Sequence, residues 1–353
     1  MIDPCQELLL NQYRNTDKCT ESDPSTLWVL DENSDYLTRN LRNDKNSLYV
    51  TNRWDIHTQL NQHGNFSDYD LTAYRELDTV FFRLCKEKAV VHHIINQSFN
   101  ALKLGGQLIL TGEKNEGVKT YEKKAKALFG SSEIKKSKNT YLVVLTKTQS
   151  DHAENLLDDQ DYCTLREIDG LANYQCYSKP GIFGWNKIDQ GSKLLLEQFE
   201  SHTQMITKEE KQSLSVLDLG CGWGYLSLSL HRLGYVHIDA TDNNAAAVNA
   251  LTATATAKEN NLAFSIWADH CAESTDKQYD LILCNPPFHK GFDHSYPLTD
   301  TFLKALKRLI KHNGKVFLVA NQFIPVEKFG QSYFKTIQTL TTENGFKVLV
   351  LAN

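Results

Sequence analysis

The sequence predicts an α/β protein made of two tandem doubly wound sheets. Short apolar runs rich in Val, Ile, Leu and aromatic residues alternate with helical stretches through both halves of the 353 residues. That is the pattern of strands joined by crossover helices, not of a bundle or a sandwich. The length suits two domains of ordinary size, each able to bury its own core, and the two halves echo one another along the chain. The polar stretch from Ser150-Asp151-His152 to Asp158-Asp159-Gln160-Asp161 is the expected seam, giving domains over residues 1–150 and 160–353.

In the first half, Thr26-Leu27-Trp28-Val29-Leu30 reads as a strand that runs to Asp31 and a polar turn. Leu77-Asp78-Thr79-Val80-Phe81-Phe82 is a second strand, ending at Arg83-Leu84-Cys85-Lys86. A helix then leads to a strand around Gly105-Gly106-Gln107-Leu108-Ile109-Leu110-Thr111-Gly112. Six lysines follow between Tyr121 and Lys138, with Lys123, Lys124 and Lys126 on a helical stretch and Lys135, Lys136 and Lys138 in the loop after it. Lysines grouped in this way can neutralise phosphates, although a solvated helix face plus loop is the commoner role for any one such lysine.

The second half carries more chemistry. Ser215-Val216-Leu217-Asp218-Leu219 is an apolar strand that runs into Gly220-Cys221-Gly222-Trp223-Gly224, and a helical pattern starts at Tyr225. Glycines let backbone N–H groups approach a ligand and permit positive φ. A dinucleotide site spaces them Gly-x-Gly-x-x-Gly to cradle a pyrophosphate. Here the third glycine comes one residue early, and an acid, Asp218, precedes the first. The next strand, Val236 to Thr241, ends at Asp242, 22 residues past Gly220, about where an acid grips ribose hydroxyls. An alanine-rich helix over 245–258 separates it from Phe264-Ser265-Ile266-Trp267-Ala268 and a third strand-end acid, Asp269.

Tyr279-Asp280-Leu281-Ile282-Leu283-Cys284 is a strand that exits into Asn285-Pro286-Pro287-Phe288. Two prolines fix the backbone and remove two donors. The turn they stiffen lets the Asn285 carboxamide oxygen and the Pro286 carbonyl point at one spot. An exocyclic amine on a planar ring offers two protons to such a pair. Two acceptors would hold the amine and stabilise positive charge that grows as its nitrogen attacks an electrophile. Phe288 would supply a stacking face.

The glycine loop resembles the S-adenosylmethionine loop of class I methyltransferases, in which no pyrophosphate is bound. Three segments extend the likeness: Gly181-Ile182-Phe183-Gly184-Trp185-Asn186-Lys187-Ile188-Asp189-Gln190-Gly191, Asn285-Pro286-Pro287-Phe288-His289, and Val316-Phe317-Leu318-Val319-Ala320-Asn321. With them the chain resembles the RsmC/RlmG family of bacterial rRNA (guanine-N2-)-methyltransferases, its layout closer to the small-subunit 16S members. The resemblance implies two tandem Rossmann-like class I methyltransferase domains, the N-terminal one degenerate and devoted to RNA docking or support. It implies S-adenosyl-L-methionine as cofactor, ribosomal RNA or a ribosomal subunit as partner, and methyl transfer to the N2 of a flipped guanine. Gly220, Gly222 and Gly224, after Asp218, would hold the methionine end, Asp242 the ribose and Asp269 the adenine. Asn285, Pro286 and Phe288 would clamp the base, with Phe183, Asp189 and His289 near substrate and Lys123, Lys124 and Lys126 on RNA. The chain departs from the family where Gly184-Trp185 replaces the usual Ser-Arg and Lys187 the second glycine, so Trp185 or Lys187 would take over any contact made by that arginine. Three alternatives stay open: a guanine of 23S rRNA, another planar nitrogen such as adenine N6, cytosine N4 or a glutamine amide, and a non-catalytic ribosome-assembly factor.

The first half reads as a worn copy of this core. Val29-Leu30-Asp31 can be set beside Val216-Leu217-Asp218, but no glycine follows, and Arg83-Leu84-Cys85-Lys86 stands where the second half has Asn285-Pro286-Pro287-Phe288. Such a half should not bind the methyl donor, and its old cleft, through Arg83 and Lys86, offers a possible RNA surface.

Bulk properties fit a cytoplasmic enzyme. No apolar stretch suits a signal peptide or a membrane span. The eight cysteines are scattered without zinc spacing, so they read as reduced thiols, with Cys221 and Cys284 as packing residues. No histidine stands in a metal pattern. A net charge of −5 argues against a nonspecific nucleic-acid binder but leaves room for an enzyme acting on a nucleoprotein particle.

Overall fold

The structure, a computed structural model, describes residues 3–15, 25–60, 64–150, 153–287, 289–290, 293–294 and 296–353. The chain divides into two compact units, Met1–Thr164 and Leu165–Asn353. Part of the polar stretch read as the seam is built into the first unit. Leu157 is buried there, its N–H donating to Asn96 Oδ1 (2.9 Å) and its carbonyl accepting from Asn96 Nδ2 (2.8 Å).

The first unit runs α1 (Pro4–Arg14), β1 (Thr26–Leu30), α2 (Asp35–Leu41), β2 (Ser47–Thr51), α3 (Trp54–Gln59), β3 (Gly64–Phe66), β4 (Leu77–Arg83), α4 (Lys88–Ala101), β5 (Leu102–Glu113), α5 (Val118–Phe129), β6 (Gly130–Ser137) and β7 (Thr140–Lys147). The second runs β8 (Arg166–Ile168), β9 (Cys176–Ser178), α6 (Gln190–Thr203), α7 (Lys208–Ser213), β10 (Ser215–Leu219), α8 (Tyr225–Arg232), β11 (His237–Asp242), α9 (Ala245–Thr256), β12 (Ser265–Ala268), β13 (Tyr279–Cys284), β14 (His289–Lys290), β15 (Asp293–His294), α10 (Tyr296–Leu309), β16 (Ile310–Asn321), α11 (Val326–Gly330), β17 (Thr336–Glu343) and β18 (Phe346–Ala352).

Each unit is built on one seven-stranded sheet, ordered β3-β2-β1-β4-β5-β7-β6 in the first and β12-β11-β10-β13-β16-β18-β17 in the second. In both, the first five strands of that order run parallel, the sixth runs antiparallel to them, and the seventh pairs antiparallel with the sixth. The strand order reverses between β1 and β4 and again between β10 and β13, so each sheet has a crevice at the carboxyl ends of those strands.

Alternation along the strands sets the layers. Leu27 and Val29 face α4 and α5 with Val80, Phe82, Leu108 and Leu110, whereas Trp28, Leu30, Phe81 and Ile109 face α1, α2 and α3. In the second unit Val216, Leu281, Leu283 and Phe317 pack on α6, α8 and α9, while Leu217, Leu219, Ile282 and Val316 pack on α10. Both faces are covered, which is why these strands read as nearly continuous apolar runs.

Strand register matches the halves residue by residue. Thr26 pairs with Thr79 and Thr79 with Gln107; Val216 pairs with Leu281 and Leu281 with Lys315. Trp28 therefore corresponds to Asp218, Leu30 to Gly220 and Arg83 to Asn285. The shared Val-Leu-Asp tripeptide is a coincidence of sequence, three residues out of register. What fills the place of Asp218 is an indole, stacked on Phe81 with centroids 4.4 Å apart.

Candidate active site

Leu219 and Cys284 lie side by side at the ends of β10 and β13, so the glycine loop and the Asn-Pro-Pro turn leave the sheet together at the crevice. The loop curls back under β11: Gly220 N and Cys221 N both donate to Thr241 O, at 2.9 and 3.1 Å. Gly220 and Gly222 have φ of 84° and 54°, and a Cβ on either would meet nothing within 4 Å. Gly224 differs. It caps α8 at φ 101°, where a Cβ would lie 2.3 Å from Leu251 Cδ1 on α9, so its glycine serves helix packing.

Asp242 braces this loop. Its Oδ2 accepts from Gly222 N (2.9 Å) and its Oδ1 from Asn244 N (2.8 Å). Asp218 is fully buried; Ser227 Oγ donates to its Oδ2 (2.6 Å), and Oδ1 has no partner. Burial pushes the carboxyl up to about 7, against the pull of the Ser227 hydrogen bonds and with help from the charge of Asp242. An open two-glycine cradle, an orphaned buried carboxylate oxygen beneath it and a strand-end acid beside it fit S-adenosylmethionine: a cationic group for Asp218 and ribose hydroxyls for Asp242.

Asp269 is placed at the end of β12 but is already spoken for. Its Oδ1 accepts from Glu273 N (3.0 Å); its Oδ2 accepts from Ser274 N (2.9 Å), Trp267 Nε1 (3.1 Å) and the Ser274 hydroxyl. The carboxylate thus holds the turn after β12 in shape.

At the exit of β13, Asn285 Nδ2 donates to Asp189 Oδ2 (2.9 Å) and to Ser192 Oγ (2.8 Å). Both amide protons are occupied, which turns the carboxamide oxygen away from α6. Pro286 is buried and Pro287 exposed. Phe288 lies outside the described residues, and of His289 only the backbone, in β14, is described.

Asp189 caps α6, accepting from Ser192 N (2.8 Å). Just before it, the Phe183 ring is 77% exposed, while the Gly181 carbonyl takes a hydrogen bond from Asn244 Nδ2 (3.1 Å). This segment therefore passes the start of α9, beside the crevice. Trp185, expected as a replacement RNA contact, is half-buried, packs on the core and lies under the Arg166 guanidinium (5.7 Å); Lys187 is exposed. Lys123, Lys124 and Lys126 are exposed on α5 of the first unit. Sequence reasoning missed Ser192, which holds Asn285, and did not single out Phe323. The latter is 73% exposed just past β16, the strand next to β13.

The equivalent crevice in the first unit is filled. Asp31 accepts from Asn33 N (2.9 Å), Asn33 Nδ2 (3.1 Å) and Ser34 Oγ (3.1 Å), closing the loop on itself. Gln6 of α1 accepts from Tyr36 N and Leu37 N, both at 3.1 Å, taking the first-turn donors of α2. Arg83, proposed from sequence as part of an RNA surface, is buried instead and paired with Asp3 (2.9 Å) and Glu116 (2.8 Å). A guanidinium in this place finds two carboxylates of its own unit and has no surplus charge for phosphate. Lys86 is exposed.

Among the described residues no helix is long and apolar enough to cross a membrane, and no group of three or more His, Cys, Asp or Glu side chains could hold a metal ion. Cys221 and Cys284 are buried thiols whose ionisation burial disfavours strongly.

The profile of the methyltransferase small domain family matches residues 173–350, and that of its N-terminal companion domain matches 14–158. Ribosomal RNA small subunit methyltransferase C of Marinomonas sp. (strain MWYL1) is 27% identical over 304 residues, covering 85% of this chain and 80% of the relative. Its namesake in Haemophilus influenzae (strain PittGG) is 26% identical over 91% of this chain and 92% of that one. In fold, the chain is similar to the T. thermophilus 16S rRNA N2 methyltransferase RsmC, solved in complex with AdoMet and guanosine. The TM-score is 0.79, at 24% identity, over 99% of this chain and 92% of that one. The chain belongs to the methyltransferase small domain family, and within it to the RsmC/RlmG methyltransferases.

Proposed function

We infer that this protein methylates the exocyclic N2 of a guanine in 16S rRNA, with S-adenosylmethionine as methyl donor, on the small ribosomal subunit in the cytoplasm. The observation that supports this reading is the Asn285 carboxamide: both its protons are held at the start of α6, which leaves its oxygen to accept from a substrate, at a strand exit next to the open glycine cradle.

Gly220 and Gly222 would take the methionine end, with Asp218 beneath as counter-charge. Asp242 would take the ribose, and Asp269 would shape the adenine end through the turn it holds. The cofactor, when bound, supplies an electrophilic methyl carbon. Asn285 Oδ1 and the Pro286 carbonyl accept the two N2 protons of the flipped guanine, and their partial charges stabilise the cation that develops on N2. The stiff Pro286-Pro287 backbone keeps these acceptors from relaxing as charge develops. The exposed Phe183 ring offers a stacking face to the RNA around the base. No general base is needed, because the methylated amine is acidic enough to lose its extra proton to water.

Purified protein incubated with tritiated S-adenosylmethionine and separate ribosomal subunits tests this. Label in N2-methylguanosine from the small subunit is the expected result; label in a methylated adenosine, or only in the large subunit, overturns the substrate. Asn285→Ala should lower turnover by roughly two orders of magnitude or more while leaving cofactor affinity nearly intact.

A further inference from the structure

We propose that Asp189 and Ser192 are positioning residues that lock the Asn285 amide with its oxygen toward the substrate amine. The proposal rests on the reading of Asn285 as the acceptor for that amine. A carboxamide is pseudo-symmetric: turned over, it would present two N–H donors to an incoming amine and repel it. Something must hold the productive face, and among the described residues no contact of the Asn-Pro-Pro backbone does so.

The start of α6 does. A carboxylate oxygen can only accept, so Asp189 Oδ2, 2.9 Å from Asn285 Nδ2, demands the nitrogen on its side. Ser192 Oγ, 2.8 Å from the same nitrogen, takes the second proton. Asp189 is itself fixed as the N-cap of α6, with Ser192 N donating to the same oxygen at 2.8 Å. Flipping the amide would cost both hydrogen bonds and set oxygen against carboxylate.

The first unit supplies an independent observation. There α1 packs against β5, β7 and α2, the register equivalents of the strands and helix that contact α6. Its N-cap, Asp3, accepts from Cys5 N (2.8 Å) and reaches across to Arg83, the counterpart of Asn285, with Oδ2 2.9 Å from Nε. The same clasp, a helix-capping aspartate on the residue at the strand exit, is present in both halves. In the first half it grips a side chain that has only donors; in the second it grips one with an acceptor to spare, and spends both donors of that side chain so that the acceptor faces outward.

The test measures methyl transfer to the small ribosomal subunit, cofactor affinity and Tm for Asp189→Ala, Asp189→Asn, Ser192→Ala, Asn285→Ala and the Asp189→Ala/Asn285→Ala pair. Asp189→Ala should lower kcat by about 10- to 100-fold with cofactor affinity unchanged. Asp189→Asn, which keeps an acceptor oxygen and a good helix cap, should recover most of that loss. Ser192→Ala leaves the cap in place and should show a smaller kcat loss, which keeps the test sharp if Asp189→Ala proves unstable. In the Asn285→Ala background, Asp189→Ala should cost nothing further in kcat, because no amide is left to orient. Two results would overturn the proposal: an equal Asp189→Ala loss in both backgrounds, or unchanged kcat in Asp189→Ala and Ser192→Ala while Asn285→Ala is impaired. Full turnover by Asn285→Ala would instead sink the reading of the site itself.

Discussion

Replacing Gly222 and Gly224 by alanine, one at a time, separates cofactor binding from stability within a single loop. At Gly224 φ is 101°, beyond the narrow left-handed region open to L-residues. An added Cβ would sit 2.3 Å from Cδ1 of Leu251, itself fully buried and unable to swing aside without displacing its neighbours. Backbone strain of about 1–3 kcal/mol and overpacking of about 1–3 kcal/mol together come to about 4 kcal/mol. In a unit of this size each kcal/mol moves Tm by about 2–4 °C, so Gly224→Ala should lower it by roughly 8–16 °C. At Gly222 φ is 54° and the space around an added Cβ is open. Strain there is about 1 kcal/mol, a Tm drop of only about 2–4 °C, but the methyl group enters the cradle and should weaken S-adenosylmethionine binding by about tenfold or more. Thermal denaturation followed by circular dichroism and titration calorimetry with the cofactor read the two effects separately. Wild-type affinity in Gly222→Ala would show that the cofactor does not enter the open side of the loop, and an unchanged Tm in Gly224→Ala would refute the packing argument.

Three further outcomes follow from other parts of the molecule. The Asp218 carboxyl is raised to about 7 from an ordinary value near 4, so the folded state keeps a proton that the unfolded chain has lost, and the stability of the second unit falls as pH rises through that window. Asp218→Asn should therefore raise Tm at pH 8, with the gain shrinking toward pH 5, and should weaken cofactor binding; a Tm gain independent of pH would refute the assignment. Arg83→Gln should destabilise the first unit by about 2–3 kcal/mol, at or just below the lower end of the range for breaking a buried pair, because Asp3 and Glu116 are partly solvated; denaturant titration reads it. Charge reversal at Lys123, Lys124 and Lys126 should weaken binding to the small subunit and flatten its salt dependence, and unchanged affinity in a filter-binding assay would clear α5 of any RNA role.

What the sequence made legible is what chain-local physics dictates. The glycine loop and the Asn-Pro-Pro turn stand out because backbone constraint needs particular residues at fixed spacing, and buried strands declare themselves by unbroken apolar runs. Relations set by packing were not legible. The pairing of Val29-Leu30-Asp31 with Val216-Leu217-Asp218 failed because identity in three residues weighs less than the hydrogen-bonded register of β1 and β10. The burial of Arg83 depended on Asp3, 80 residues away in the chain, and on Glu116. Ser192 could be read as a residue of a capping turn, but its bond to Asn285 spans 93 residues. Asp269 was found at the right strand end, yet nothing local shows that Trp267 and two residues of the following turn use up its carboxylate.

The two crevices make one last contrast testable without any change of residue. Ligand binding stabilises the folded unit that holds the ligand: at a hundred times Kd the gain is about 2.7 kcal/mol, and it appears as slowed exchange of the amides whose opening exposes the site. In the second unit the glycine loop hangs from Thr241 and Asp242 by three backbone donors, those of Gly220, Cys221 and Gly222, with open space on its far side. In the first unit the corresponding loop is already closed by Asp31 and Gln6, a tryptophan occupies the place of the buried acid, and an arginine replaces the acceptor. Saturating S-adenosylmethionine should therefore protect amides over 220–224 and 241–244 and leave 30–37 and 83–86 exchanging as before. Protection of the first set alone means that one half of the duplication has traded ligand space for packing. Protection at 30–37 would mean that Gln6 and α1 can leave their seats, and the first half would have to be counted as a second cofactor site.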